Sequence, residues 1–208
     1  MKLIIGLALV LLSSTSSAAL VIDPPLGLTW GSSLTEIESK TESLKKMHDQ
    51  NERIEAFMLR NPHAKVNGFD AYSVLVDKSE GLLSVEMLQY FNNDANGTNI
   101  IKRYHALQEA LRKKYETIDS IDFTSKPSPT FYKCIAHDSC GSMTTFVDGS
   151  NAKIQLFVMA GDKADSGQIF LMYRSNKYSE INEALKAKKD KDSADEIDRE
   201  SSELSESL

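Results

Sequence analysis

Apolar residues recur along this chain with two periods, and the period changes mark the elements. Val21 to Leu28 read as extended, because Pro24 and Pro25 block a helix. Leu34, Ile37, Thr41, Leu44 and Met47 then recur every three or four positions, which predicts a helix over about 34–47. Ser33 and Glu36 stand at capping-box spacing before it. Ile54 to Leu59 reads as a strand, followed by a turn over Asn61 to Gly68. Tyr72, Val74 and Val76 alternate within a strand over 69–76. After a turn at Ser79 to Gly81, Leu83, Val85, Met87, Gln89 and Phe91 alternate in the next. Three neighbouring strands with short turns predict an antiparallel meander.

Asn92 to Gly97 break that strand. Ile100, Ile101, Tyr104, Leu107, Leu111 and Tyr115 follow at helical spacing and predict a helix over Thr98 to Tyr115, with Lys102, Arg103, Arg112 and Lys113 outward. Thr117 to Thr130, with Pro127 and Pro129, reads as a connection. Four short strands follow at Phe131 to Ala136, Ser142 to Val147, Ala152 to Met159 and Gln168 to Arg174. A last helix starts near Ser179, with Ile181, Ala184 and Leu185 inward. The order α-βββ-α-ββββ-α predicts an α+β fold: an antiparallel sheet with helices on one face. A helix followed by a meander occurs twice, without a sequence repeat. Residues 20–185 are expected to form a single domain. Residues 186–208 are too charged to bury much surface and are expected to be a disordered or frayed helical tail.

The beginning of the chain changes the setting. Lys2 precedes an apolar run from Leu3 to Leu12, and Ser13 to Ala19 is small and polar with two closing alanines. This is the layout of a signal peptide over 1–19, cleaved after Ala18 or Ala19. The apolar run is half of what a spanning helix needs, and no later run is long enough. The expected product is soluble and exported, periplasmic or secreted, with no transmembrane segment after cleavage.

Charge is uneven. The net charge of −6 is carried by Asp190 to Leu208, with eight acids against two bases. The body is nearly neutral. Charge and compartment together argue against a nucleic-acid partner. Cys134 and Cys140 are the two cysteines. In an exported protein a disulfide is the expected state. So short a loop gives about 2 kcal/mol in the chain-entropy model, enough to pin a local turn.

Candidate chemistry is sparse. Asn92, Asp94, Asn96 and Gly97 match the first half of a calcium loop, but Asn99 and Arg103 occupy its eighth and twelfth positions, where an apolar residue and a bidentate Glu belong. A capped strand-to-helix turn needs the same residues. His137, Asp138, Ser139 and Cys140 are consecutive, whereas a nucleophilic triad converges from distant segments. His48, His63, His105 and His137 show no paired metal-ligand spacing. Arg112, Lys113 and Lys114 suit a helix C-terminus, and the sequon Asn96-Gly97-Thr98 reads as turn chemistry. No phosphate loop or nucleophile elbow occurs. The sequence assigns no catalytic residue, no metal site and no cofactor, and leaves the ligand-binding residues open.

The segment LGLTWGSSLTEIES, residues 26–39, combines Gly-x-x-Trp-Gly with a small polar cap and a Glu in the first helical turn. It resembles the start of small exported bacterial proteins. Its Gly-x-Ser-x-x-Glu part is similar to the outer-membrane assembly lipoproteins of the BamE type. The likeness covers about fourteen residues, and the chain departs from that family in lacking a lipidated Cys and in carrying more strands. The resemblance implies a bacterial envelope setting. The expected function is that of a non-enzymatic binding or accessory protein whose partner is another protein or an envelope component. The alternative is an envelope hydrolase with residues from scattered positions, for which His137, Asp138 and Ser139 are the first to test.

Overall fold

The computed structural model describes residues 19–115, 118–122, 126–137 and 143–207. The predicted leader up to Ala18 lies outside them. The described residues form four helices and eight strands. In chain order these are α1 (Leu34–Glu38), β1 (Thr41–Asp49), β2 (Ile54–Pro62), β3 (Ala71–Asp77), β4 (Gly81–Phe91), α2 (Thr98–Tyr115), β5 (Asp119–Asp122), α3 (Phe131–Ala136), β6 (Met143–Asp148), β7 (Ala152–Ala160), β8 (Gly167–Ser175) and α4 (Asn176–Ser207). All eight strands join one antiparallel sheet in the order β1-β2-β3-β4-β8-β7-β6-β5. Two meanders therefore meet through their last strands, from Ser84 opposite Arg174 to Phe91 opposite Gly167. The α+β class and the antiparallel sheet match the sequence reading.

The main core lies between one sheet face and α2, α3 and the N-terminal segment. α2 has the predicted bounds and buries the whole predicted stripe from Ile100 to Tyr115. Val74, Val85, Met87, Ile154, Leu156 and Ile169 meet it from the sheet. Thr145 shares a 2.7 Å hydrogen bond with the Tyr104 hydroxyl and accepts one from Gln108 Nε2 at 3.1 Å. Arg103 is not on the outward face. It donates to Gln89 Oε1 and to the Asn67 carbonyl, both at 2.8 Å.

The Gly-x-x-Trp-Gly segment ties the N-terminal strap to both meanders. Trp30 Nε1 donates to the Ile22 carbonyl at 2.8 Å, and Asn151 bonds both backbone groups of Ile22. Gly31 N–H donates to the Leu82 carbonyl at 3.1 Å. Gly81 sits at φ 74°, and a Cβ there would collide with the Gly31 carbonyl. That close approach of two backbones is why glycine is required at this turn.

Besides Arg103, four sequence expectations are corrected. The helix over 34–47 stops at Glu38, although its capping box forms as predicted. Thr41–Asp49 instead pairs with β2, and Met47 is 47% exposed beside a register shift. Ladder pairing overrides a weak helical preference there. Phe131–Ala136 is a helix, not a strand; it buries Phe131, Tyr132 and Ile135, the stripe of a short helix. An apolar run this short carries too little periodicity to separate the two. The polar edge strand β5 falls inside the expected connection. The helices do not all share one face: Tyr178, Ile181 and Leu185 of α4 pack on Ile54, Ala56, Leu75 and Leu83, on the opposite side from α2. Of the two expected states of the tail, disordered or frayed helical, residues up to Ser207 are helix. Residues 186–202 are exposed along it, and Lys186/Asp190, Lys188/Asp192 and Lys191/Asp195 stand at the i,i+4 spacing that supports a solvated helix. No described helix is long and apolar enough to cross a membrane.

Candidate functional site

The sheet face turned away from α2 is covered by α4 over β2, β3 and the start of β4. Over β5 to β8 and the end of β4 it is open except at two margins: the first turn of α4 beside Arg174, and the end of α3, where Ile135 and Ala136 line a cavity with Thr144, Phe157 and Met159. The strand register builds a row of side chains across that open area. Leu88 stands opposite Phe170, Phe170 opposite Phe157, Phe157 opposite Thr144, and Thr144 opposite Ile121. The Phe157 and Phe170 rings stack with centroids 5.0 Å apart and planes 4° from parallel. Tyr90, Met159 and Ile121 extend this apolar band and are 44–48% exposed.

Charges on the rim are paired with one another. Arg174 Nη2 lies 3.6 Å from Glu86 Oε1, and Lys153 Nζ lies 3.3 Å from Asp148 Oδ1. Beside them, the first turn of α4 overhangs the sheet and leaves a cleft of about 300 Å³, lined by Phe146, Gln155, Met172, Arg174, Lys153 and Tyr178. The Arg174 guanidinium lies 5.0 Å from the centre of the Tyr178 ring. An apolar centre with a charged rim is the arrangement of a contact surface.

Family models, curated proteins and solved structures contain no match to this chain.

The residues singled out in the sequence fall elsewhere. Asp94 is buried, and its carboxylate accepts the N–H groups of Asn99 and Ile100 and the Tyr132 hydroxyl. It caps α2, so the half-calcium loop is a turn. Burial, then the Asp94 charge, pushes the Tyr132 hydroxyl well above its ordinary value, which keeps it a donor. His137 ends α3 and is exposed; Asp138, Ser139 and Cys140 lie outside the described residues. Cys134 lies on α3 and is half-buried. His48 and His63 are exposed, and His105 lies 3.4 Å from Gln108 Oε1. Among the described residues no three metal-capable side chains cluster. Arg112 pairs with Glu109 on its own helix.

Sequence reasoning missed the aromatic row. The available signal was a strand apolar on both faces. In β7, Ile154, Leu156 and Val158 point to the core while Phe157 and Met159 alternate with them. Such a strand is expected to be covered on both sides, and here the second cover is not a described part of the chain.

Proposed function

We propose that this is an exported, non-enzymatic binding protein of the bacterial envelope, periplasmic or secreted, and that its working surface is the open face of the β4–β8 half-sheet. The partner is another envelope protein with an apolar contact surface. The reading is carried by the Leu88–Phe170–Phe157–Thr144–Ile121 row, apolar at both ends and aromatic at its centre. Apolar area left in water is the usual driving force for association. The rim charges already pair with each other, so they would select orientation more than supply affinity. The leader over 1–19 and a Cys134–Cys140 bridge belong to the same proposal, because both follow from export.

The test is site-specific photo-crosslinking in the native host, with the probe at Met159 on the open face and at Lys102 on the outward side of α2. The expected result is one identified adduct at Met159 and none at Lys102. The purified partner should bind the native chain and lose about tenfold or more in affinity to Phe157→Asp, as for a central aromatic contact. Equal adducts at both positions, no adduct at Met159, or unchanged affinity in a folded Phe157→Asp protein would overturn the proposal.

A further inference from the structure

Arg174 holds hydrogen-bonding capacity that the described residues do not use. Its Nε is sealed from solvent and has no partner among them. Its Nη2 lies 3.2 Å from the Met172 sulfur and 3.6 Å from Glu86 Oε1. A thioether is a weak acceptor, and 3.6 Å is beyond hydrogen-bonding distance. An unpaired buried donor is costly, and the remaining guanidinium donors face the cleft with only weak partners. The cleft of about 300 Å³ lies beside this guanidinium, within the size range of small-molecule sites. Phe146 and Met172 give it an apolar floor, and Lys153, 63% exposed, stands at its rim.

We infer that this cleft binds a small organic anion, a carboxylate or phosphate on a flat apolar body. Its oxygens accept from the Nη groups of Arg174, whose side chain is 35% exposed, and from Lys153, and its body lies on Phe146 against Tyr178. A planar guanidinium matches both anions in a two-point contact, which a lysine cannot reproduce. Two carboxylates, Glu86 and Asp148, flank the two cations, so the cleft has no large net charge. Selection therefore needs the apolar body and the oxygen acceptors together, and an inorganic anion lacks the first. The cleft adjoins the aromatic row and shares Arg174 and Lys153 with its rim, but its occupancy does not require a protein partner.

The experiment titrates the full-length exported chain with benzoate, phenyl phosphate, inorganic phosphate and neutral benzamide, followed by nuclear magnetic resonance and calorimetry. Saturable binding of benzoate or phenyl phosphate is expected, with shifts centred on Phe146, Gln155 and Arg174; the stronger of the two identifies the head group. Inorganic phosphate and benzamide should bind at least about tenfold more weakly, and Arg174→Lys should lose about tenfold for the organic anion. Lys153→Met, at an exposed position, should lose severalfold without altering the fold. If Arg174→Lys does not fold, Lys153→Met and the benzamide comparison decide. Absence of saturable binding, equal binding of benzamide, or native affinity in Lys153→Met and any folded Arg174→Lys overturns the inference.

Discussion

Asp77 illustrates how a single carboxylate is made acceptable inside this fold. Its side chain is fully buried at the β3–β4 turn. Burial opposes its ionisation. That effect is outweighed by Arg53, by the Ser79 hydroxyl and by the N–H groups of Ser79 and Glu80, which hold the carboxyl well below the usual range. Arg53 donates to both oxygens, at 2.9 and 3.1 Å. A folded-state value below the unfolded one, ordinarily about 3.9, stabilises the native state fully above the unfolded value. The contribution disappears as pH falls through the folded value. In urea unfolding, Asp77→Asn should cost roughly 1–3 kcal/mol at pH 7, with the gap to the native protein narrowing below about pH 4. A gap independent of pH would contradict this account. The turn at Ser79 to Gly81 is legible in the sequence. The partner, Arg53 in the β1–β2 turn, is not, because only the strand register brings the two turns together.

At the scale of elements, the eighteen-residue helix and most alternating strands read truly, whereas the helical spacing over 34–47 and the short apolar run of α3 did not. α2 keeps its predicted bounds because eighteen residues repeat one stripe five times. α1 and α3 are five and six residues long, and neither length establishes a period. α4 combines two behaviours. Its first turns are docked by Tyr178, Ile181 and Leu185, and Lys188 Nζ reaches Glu52 at 3.5 Å. Farther along, no tertiary ion pair or hydrogen bond among the described residues holds the exposed helix, and such segments open at little free-energy cost. Limited trypsin digestion should cut near Lys189 and Lys191 and leave the body intact. A distal helix as resistant as the sheet would refute that expectation.

The whole molecule depends on ties between distant segments. The Leu20 carbonyl accepts from Ser150 N–H and Oγ, at 2.7 and 3.0 Å, and Ile22 is held by Asn151. Residues directly after the predicted cleavage point are thus bonded to the β6–β7 turn, so the strap closes one core from both meanders. If the chain is exported as proposed, mass spectrometry of the envelope form should show removal of 18 or 19 residues. It should also show a gain of two hydrogens on reduction of Cys134 and Cys140. An uncut chain with two free thiols would remove the compartment, the bridge and the partner class together.

The sequence by itself determined the α+β class, the strands β2 to β4 and β6 to β8, α2 with its buried stripe and the capping box of α1. Each is encoded by neighbours within one element, where side-chain period and backbone geometry are locally coupled. Tertiary structure alone decided that Thr41–Asp49 is an edge strand, that α4 lies opposite α2, and that Phe157 stacks on Phe170. Those outcomes depend on strand register and on which face a distant helix covers. The open aromatic row and the Arg174 cleft belong to the second group, since neither exists until five strands from two meanders lie side by side.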